Sequence, residues 1–364
     1  MRRLGVTTFI PAFIPALIPA LVPALLLLPS SATAAPAPGP DPFDDWRETV
    51  VDADQNFRGL VAVSKREAWV TGESLSDGAA RVYRTTDRGT TWLDVSPPAS
   101  EGLSFRDVEV TGSVTHVLAI GPGEASRIYR SADGGASWTE SFRNTDEDAF
   151  YDCMAFYPGG RRGLVLGDPV DGKLQVLATE DRGRTWSLLP DKGMPASAKE
   201  FGFAASGNCL VTAGRSAFIV SGGARARVLR SDDRGLTWTA TTSGIPAGPA
   251  AGGFAGDMAS PRRGIAVGGD FEDADDTTDN VATTRDGRTW SAVASLRHVG
   301  EDVAFVRGWR YAVATGDYDG SAGSSITRDG GATWTRVSKL GYHAVDCVSK
   351  VCWAAGSEGR VGRG

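Results

Sequence analysis

Thr85-Thr-Asp87-Arg-Gly89-Thr-Thr91-Trp92 is a phrase the chain repeats. It returns as Ser131-Ala-Asp133-Gly-Gly135-Ala-Ser137-Trp138 and as Thr179-Glu-Asp181-Arg-Gly183-Arg-Thr185-Trp186. Two more copies are Ser231-Asp-Asp233-Arg-Gly235-Leu-Thr237-Trp238 and Thr327-Arg-Asp329-Gly-Gly331-Ala-Thr333-Trp334. In another, Thr283-Thr-Arg285-Asp286-Gly287-Arg-Thr289-Trp290, the aspartate is displaced by one position. A hydroxyl and a carboxylate two residues apart can accept the free N–H groups of a tight turn. The glycine supplies the positive φ that a hairpin needs. The tryptophan opens the next strand and buries its ring. A short apolar strand stands before most copies, as in Val82-Tyr83, Ile128-Tyr129, Val176-Leu177 and Val228-Leu229. Each unit is therefore strand–turn–strand, and a fixed period of this size marks a repeat architecture.

The tryptophans of the repeat, Trp92, Trp138, Trp186, Trp238, Trp290 and Trp334, are 44 to 52 residues apart. One further step back of 46 residues lands on Trp46, in a segment that looks like the strand after Trp92 with its turn missing. Beyond Trp334 the stretch 342–364 holds strands but no turn phrase. A second period runs through apolar strands ending in glycine: Gly72, Gly121, Gly167, Gly222, Gly268, Gly316 and Gly356. In the fourth unit Val211-Thr-Ala-Gly214 fits as well as Phe218–Gly222. The expectation is an all-β chain, a seven-bladed β-propeller of four-stranded blades, its last blade closed by the N-terminal strand at Trp46. Such a ring draws its stability from blade stacking and from joining last to first.

These residues resemble the Asp-box, or bacterial neuraminidase repeat, Ser/Thr-x-Asp-x-Gly-x-Thr-Trp. In that family the box is structural and lies at the outer rim of a propeller, between third and fourth strands. The resemblance thus gives Asp87, Asp133, Asp181, Asp233 and Asp329 a structural role and no chemistry. Gly163-Leu-Val-Leu-Gly-Asp168-Pro-Val-Asp171-Gly-Lys173, Phe203-Ala-Ala-Ser-Gly-Asn208 and Gly268-Gly-Asp270 before Asn280 resemble the bacterial branch of the photosystem II stability/assembly factor-like family. That resemblance covers residues 45–364. Photosynthetic members escort an unassembled reaction-centre subunit, so it implies a protein-binding or assembly role. Some bacterial members carry an oxidoreductase label, which the motifs here do not support. Gly121-Pro-Gly123-Glu-Ala-Ser126 leads into a strand and hairpin, where a dinucleotide loop needs a helix. No cofactor is expected.

Arg2, Arg3, the apolar run Phe9–Leu28 and the small residues before Ala34 read as an export signal. Pro11, Pro15, Pro19 and Pro23 interrupt that run, and no basic stop-transfer flank follows. The expected organisation is a signal peptide at 1–34, a Pro/Ala linker at 35–44 and a propeller at 45–364, with no membrane span in the mature chain. The destination is secreted or extracytoplasmic. Outside the cell four cysteines can pair. A two-residue turn at Ser349-Lys350 sets Cys347 opposite Cys352. Cys153 and Cys209 fall at matching places on adjacent first strands and could bridge or remain free thiols. With no CxxC and no histidine at ligand spacing, no metal site is expected. The net charge is −6, and −8 once Arg2 and Arg3 leave with the leader, which excludes an electrostatic footprint for nucleic acid. Charged residues at 23% exclude a multi-span membrane protein. A monomer is expected.

The loops entering first strands and those joining second to third strands share one propeller face. Counting back from the glycines places Arg58, Arg106, Asp152, Asn208, Phe254, Glu301 and His343 at the starts of first strands. The other loops add Glu73, Asp168, Asp171, Asp270, Asp317 and Asp319. This mixed ring of charges around a channel mouth is the candidate site for a protein or glycan partner, with plain solvation of those charges as the alternative. Carboxylates crowd 270–280 but lack the glycine and terminal glutamate of a calcium loop. The alternative function is a carbohydrate-active hydrolase, sialidase-like or built on a carboxylate pair from Asp168, Asp270 and Asp317. A sialidase needs Arg-Ile-Pro, and the nearest match is Phe57-Arg58-Gly59. No catalytic residue is assigned.

Overall fold

Residues 46–318 and 320–364 are described by the structure, a computed structural model. The expected signal peptide and linker lie outside them. The described chain forms seven antiparallel sheets arranged as successive blades. Their first strands are Gln55–Ala62, Ser104–Thr111, Tyr151–Phe156, Leu210–Ala213, Gly248–Ser260, Asp302–Arg307 and Ala344–Val348. In the first six blades each is followed by its second, third and fourth strands in order. In blade 4 the second strand is Ser216–Val220, so Val211–Gly214 belongs to the first strand and its turn. Blade 5 is widened at its inner edge by two short strands, Gly222–Gly223 and Glu200–Phe201.

The last blade lacks a fourth strand of its own. Arg47–Val50 supplies it, pairing antiparallel with Arg360–Arg363 in the register Arg47 opposite Arg363 and Val50 opposite Arg360. Trp46 is buried, meets Tyr342 edge-on at 5.3 Å, and donates its indole N–H to Ser324 in blade 6 at 3.2 Å. The ring is closed by the N-terminal strand, as the tryptophan spacing implies.

The repeated turns follow from their chemistry. Thr85 Oγ1 accepts the Gly89 N–H at 3.0 Å, while Asp87 accepts both the N–H and the hydroxyl of Thr91 at 3.0 and 2.7 Å. The same bonds recur at Asp133, Asp181, Asp233 and Asp329. In blade 5 the displaced aspartate works because the turn is one residue shorter. Thr284 rather than Thr283 caps it, and Asp286 accepts from Thr289. The turn indoles bind blade to blade: Trp138 donates to the Val95 carbonyl of blade 1 at 2.7 Å, and Trp92 meets Trp353 of blade 7 edge-on.

Apolar clusters lie between blades rather than around one centre. One joins Leu164 and Leu166 of blade 3 to Leu210 and Ile219 of blade 4; another joins Val313 of blade 6 to Val345 of blade 7 and to Tyr342 just before it. Cys153 and Cys209 form a disulfide with Cα atoms 5.8 Å apart, tying blade 3 to the segment entering blade 4. Cys347 and Cys352 form a second across their hairpin, at 4.1 Å.

Candidate functional site

First strands line the channel, and an inner layer of carboxylates fastens them to one another. Asp107 accepts the Met154 N–H of the next blade at 2.5 Å, Asp257 that of Phe305 at 2.7 Å, and Asp302 that of Val345 at 2.8 Å. Asp346 in blade 7 accepts from Ala62 in blade 1. Burial pushes all four carboxyls up, Asp346 to about 6. With Glu109 and Asn208, Asp107, Asp257 and Asp346 line a cavity of 170 Å³ inside the ring. The sequence reading named Asn208 but missed these carboxylates. Their signal is an aspartate set within an otherwise apolar first strand, as in Asp302-Val-Ala-Phe305.

Above that layer the mouth is crossed by the end of the long connection from blade 3 to blade 4. Its Ala204 and Ala205 carbonyls accept from Arg106 and Arg58 at 3.1 and 3.4 Å, and Ser206 donates to the Glu301 carbonyl. Phe203 packs on Phe254 of blade 5 with ring centres 4.6 Å apart, and Asn208 donates to Asp302 of blade 6. Gly207 is required here: φ is +86°, and a Cβ would come within 2.7 Å of the Asp107 carboxyl carbon. The expected ring of charges thus surrounds a covering segment, not an open hole.

The structure brings several candidate residues into one network. Arg58 donates to Glu301 at 2.9 Å, and His343 Nδ1 meets the same carboxylate at 2.9 Å. Glu301 also accepts the Asp317 N–H at 2.6 Å. Asp317 accepts from Arg360 at 2.6 Å and from the Ser357 hydroxyl at 2.5 Å, and Ser357 lies 3.3 Å from His343 Nε2. Complete burial opposes ionisation of Glu301, but His343 and Arg58 outweigh it and hold the carboxyl down at about 2. Arg106 sits beside this network, paired with Glu73 at 3.2 Å. Burial, and then the Arg58 charge, lower its guanidinium to about 10. Arg360 and Ser357, contributed by the last blade, were not anticipated.

The other candidates lie apart. Asp168 accepts the Gly202 N–H at 3.2 Å and is raised to about 6 by burial. Burial, and next the charge of Asp168, push Asp152 well up, and one of its carboxyl oxygens is buried without a partner. Asp270 accepts from Glu272 N at 2.8 Å and so shapes its own loop; Asp276 does the same for Thr278. Asp171 is exposed in a two-residue turn at positive φ, and Asp319 lies outside the described residues. Asn280 turns inward to the His298 carbonyl and the Leu296 N–H. Among the described residues no three His, Cys, Asp or Glu side chains gather as metal ligands. Asp168, Asp270 and Asp317 belong to blades 3, 5 and 6, each held by its own donors.

No protein-family profile matches the chain, and no curated protein matches it. Solved structures do. The structure described as YCF48 bound to D1 peptide superposes with a TM-score of 0.61 at 15% identity, covering 92% of this chain and 99% of that one. YCF48 from Cyanidioschyzon merolae gives 0.59 at 17% identity, covering 87% and 98%. The RRP9 WD40 repeats give 0.61 at 9% identity, covering 87% and 96%. At these identities the likeness establishes one thing, the fold: this chain is a seven-bladed β-propeller of the architecture shared by those proteins.

Proposed function

We propose that this chain is an exported, monomeric Asp-box propeller of the photosystem II stability/assembly factor-like kind, bacterial branch, which binds a polypeptide partner on its channel-mouth face. The observation that carries the reading is the pair Arg58 and Arg106, from adjacent blades. Both are held in place by Glu301, Glu73 and the covering segment, and both keep part of their side chains exposed. Fixed guanidiniums bind carboxylates with little loss of side-chain freedom. Phe271, 41% exposed, stands against Phe203 and offers an apolar contact on the same face. A propeller of similar fold is known with a peptide bound, which supports a polypeptide over a glycan.

The test is a panel of acidic peptides, including ones ending in a free carboxylate, titrated against the processed chain and against R58A/R106A. Loss of two charge-assisted contacts lowers affinity at least about tenfold on this reading. Undiminished binding by the double variant overturns it.

A further inference from the structure

The two faces of the ring carry opposite charge. Among the described residues, loops joining first to second and third to fourth strands hold fifteen Lys and Arg against nine Asp and Glu. Loops on the mouth face hold five against nineteen. A chain that is acidic overall therefore presents one cationic side.

The excess is greatest at blades 5 and 6. Arg262, Arg285, Arg307 and Arg310 are exposed there and Arg263 is half-buried beside them, and none of the five is ion-paired with a described residue. The nearby carboxylates Asp286 and Asp329 are occupied by the N–H and hydroxyl groups of their own turns. Between these arginines stands Trp309, at the tip of the hairpin 308–310 and 37% exposed, with the guanidiniums of Arg263 and Arg310 at 4.6 and 4.9 Å from its ring. Leu236, 53% exposed, marks the tip of the repeated turn in blade 4.

We propose that this side of the propeller docks on an anionic phospholipid surface. Charge complementarity selects an anion, and the arrangement selects a plane. The guanidiniums sit at and beside the turns of blades 5 and 6 on one side of the ring, where a flat surface reaches them together. An exposed indole flanked by arginines is suited to the boundary between headgroups and acyl chains. The carboxylates of 271–280 lie on the opposite face, so the same field that attracts one side repels the other. Docking in this orientation turns the channel mouth, with Arg58 and Arg106, away from the lipid.

The experiment is sedimentation of the processed chain with vesicles of phosphatidylcholine containing about a third phosphatidylglycerol, and with phosphatidylcholine alone. Binding is expected to be at least about tenfold stronger to the anionic vesicles and to vanish at roughly 0.5 M salt. R262E/R285E/R310E lowers it at least about tenfold, while R225E on the mouth face leaves it unchanged. Should the triple variant not fold, lipids carrying a quencher in the acyl chain still decide. They quench wild-type fluorescence and quench W309F less. Equal binding to both vesicles, undiminished binding by the triple variant, no quenching difference, or binding to heparin or an acidic peptide without binding to vesicles overturns the proposal.

Discussion

Asp346 in the last blade accepts the backbone N–H of Ala62 in the first blade at 2.7 Å. This bond closes the ring on its inner side, while Arg47–Val50 closes it on the outer side against Arg360–Arg363. The same side-chain clamp repeats at Asp107, Asp257 and Asp302, so the seam is built like the ordinary junctions. The closure is therefore spread over two radii.

The outer closure depends on Trp46, which is buried against Tyr342 and bonded to Ser324. Replacing Trp46 by alanine should cost about 3–5 kcal/mol, the usual range for a buried aromatic. Urea denaturation measures this directly. A midpoint equal to wild type contradicts closure by the N-terminal strand.

Asp302 holds the N–H groups of Val303 and Val345 and the amide of Asn208. Asp302→Ala strands these donors at a cost of about 1–3 kcal/mol each, and loss of the buried carboxyl, itself disfavoured by burial, offsets part of it, so a net loss of roughly 2–4 kcal/mol is expected. Asp302→Asn keeps one acceptor oxygen and should lose less. Equal stability of the two variants by chemical denaturation removes the clamp from the explanation.

Stability should also depend on pH in two directions. The carboxyls of Asp346 and Asp168 are raised by burial to about 6, above the unfolded value of about 3.9. Between those values the folded state binds more protons than the unfolded one. Their contribution is complete below about pH 4 and is lost as pH rises through about 6. The turn carboxylates act oppositely. Backbone and hydroxyl donors from Thr91 lower Asp87 to about 2, and those of Ser137 do the same for Asp133, so their contribution is lost as pH falls below about 4. Melting temperature against pH checks both limbs, and Asp346→Asn should flatten the upper one.

The disulfides should differ in effect. Cys153–Cys209 closes a loop with a sequence separation of 56, whereas Cys347–Cys352 spans only 5. In the loop-entropy description the first is worth roughly 2–4 kcal/mol and the second less. Comparing C153A/C209A with C347A/C352A by thermal melting tests the order; a larger loss from the short loop reverses it.

The fold was legible because its information is local and repeated. A turn needing hydroxyl, carboxylate, glycine and indole in fixed order prints the same letters in each blade, and the spacing of the indoles counts the blades. Even the displaced aspartate of blade 5 was visible, though the shortening of its turn to Thr284–Thr289 was not. The site was legible only in outline. Arg58, Glu301 and His343 from first strands and Asp317 from a second-to-third loop converge as elements of one face should, but Arg360 and Ser357 reach them from the last blade. The covering segment was hidden because its contacts at Arg58, Arg106 and Glu301 lie about a hundred residues or more away in sequence. A sequence pattern with a period of one blade carries no trace of a strap that reaches from blade 3 to blades 1, 2, 5 and 6.

The central claim is that the channel-mouth face holds a polypeptide. Hydrogen exchange of the processed chain, with and without a saturating acidic peptide, tests it most directly. Slowed exchange is predicted at residues 56–58, 104–107 and 200–206, with the hairpin 308–310 unchanged. Protection confined to 308–310 and the turns beside it, with the mouth exchanging as before, contradicts the claim.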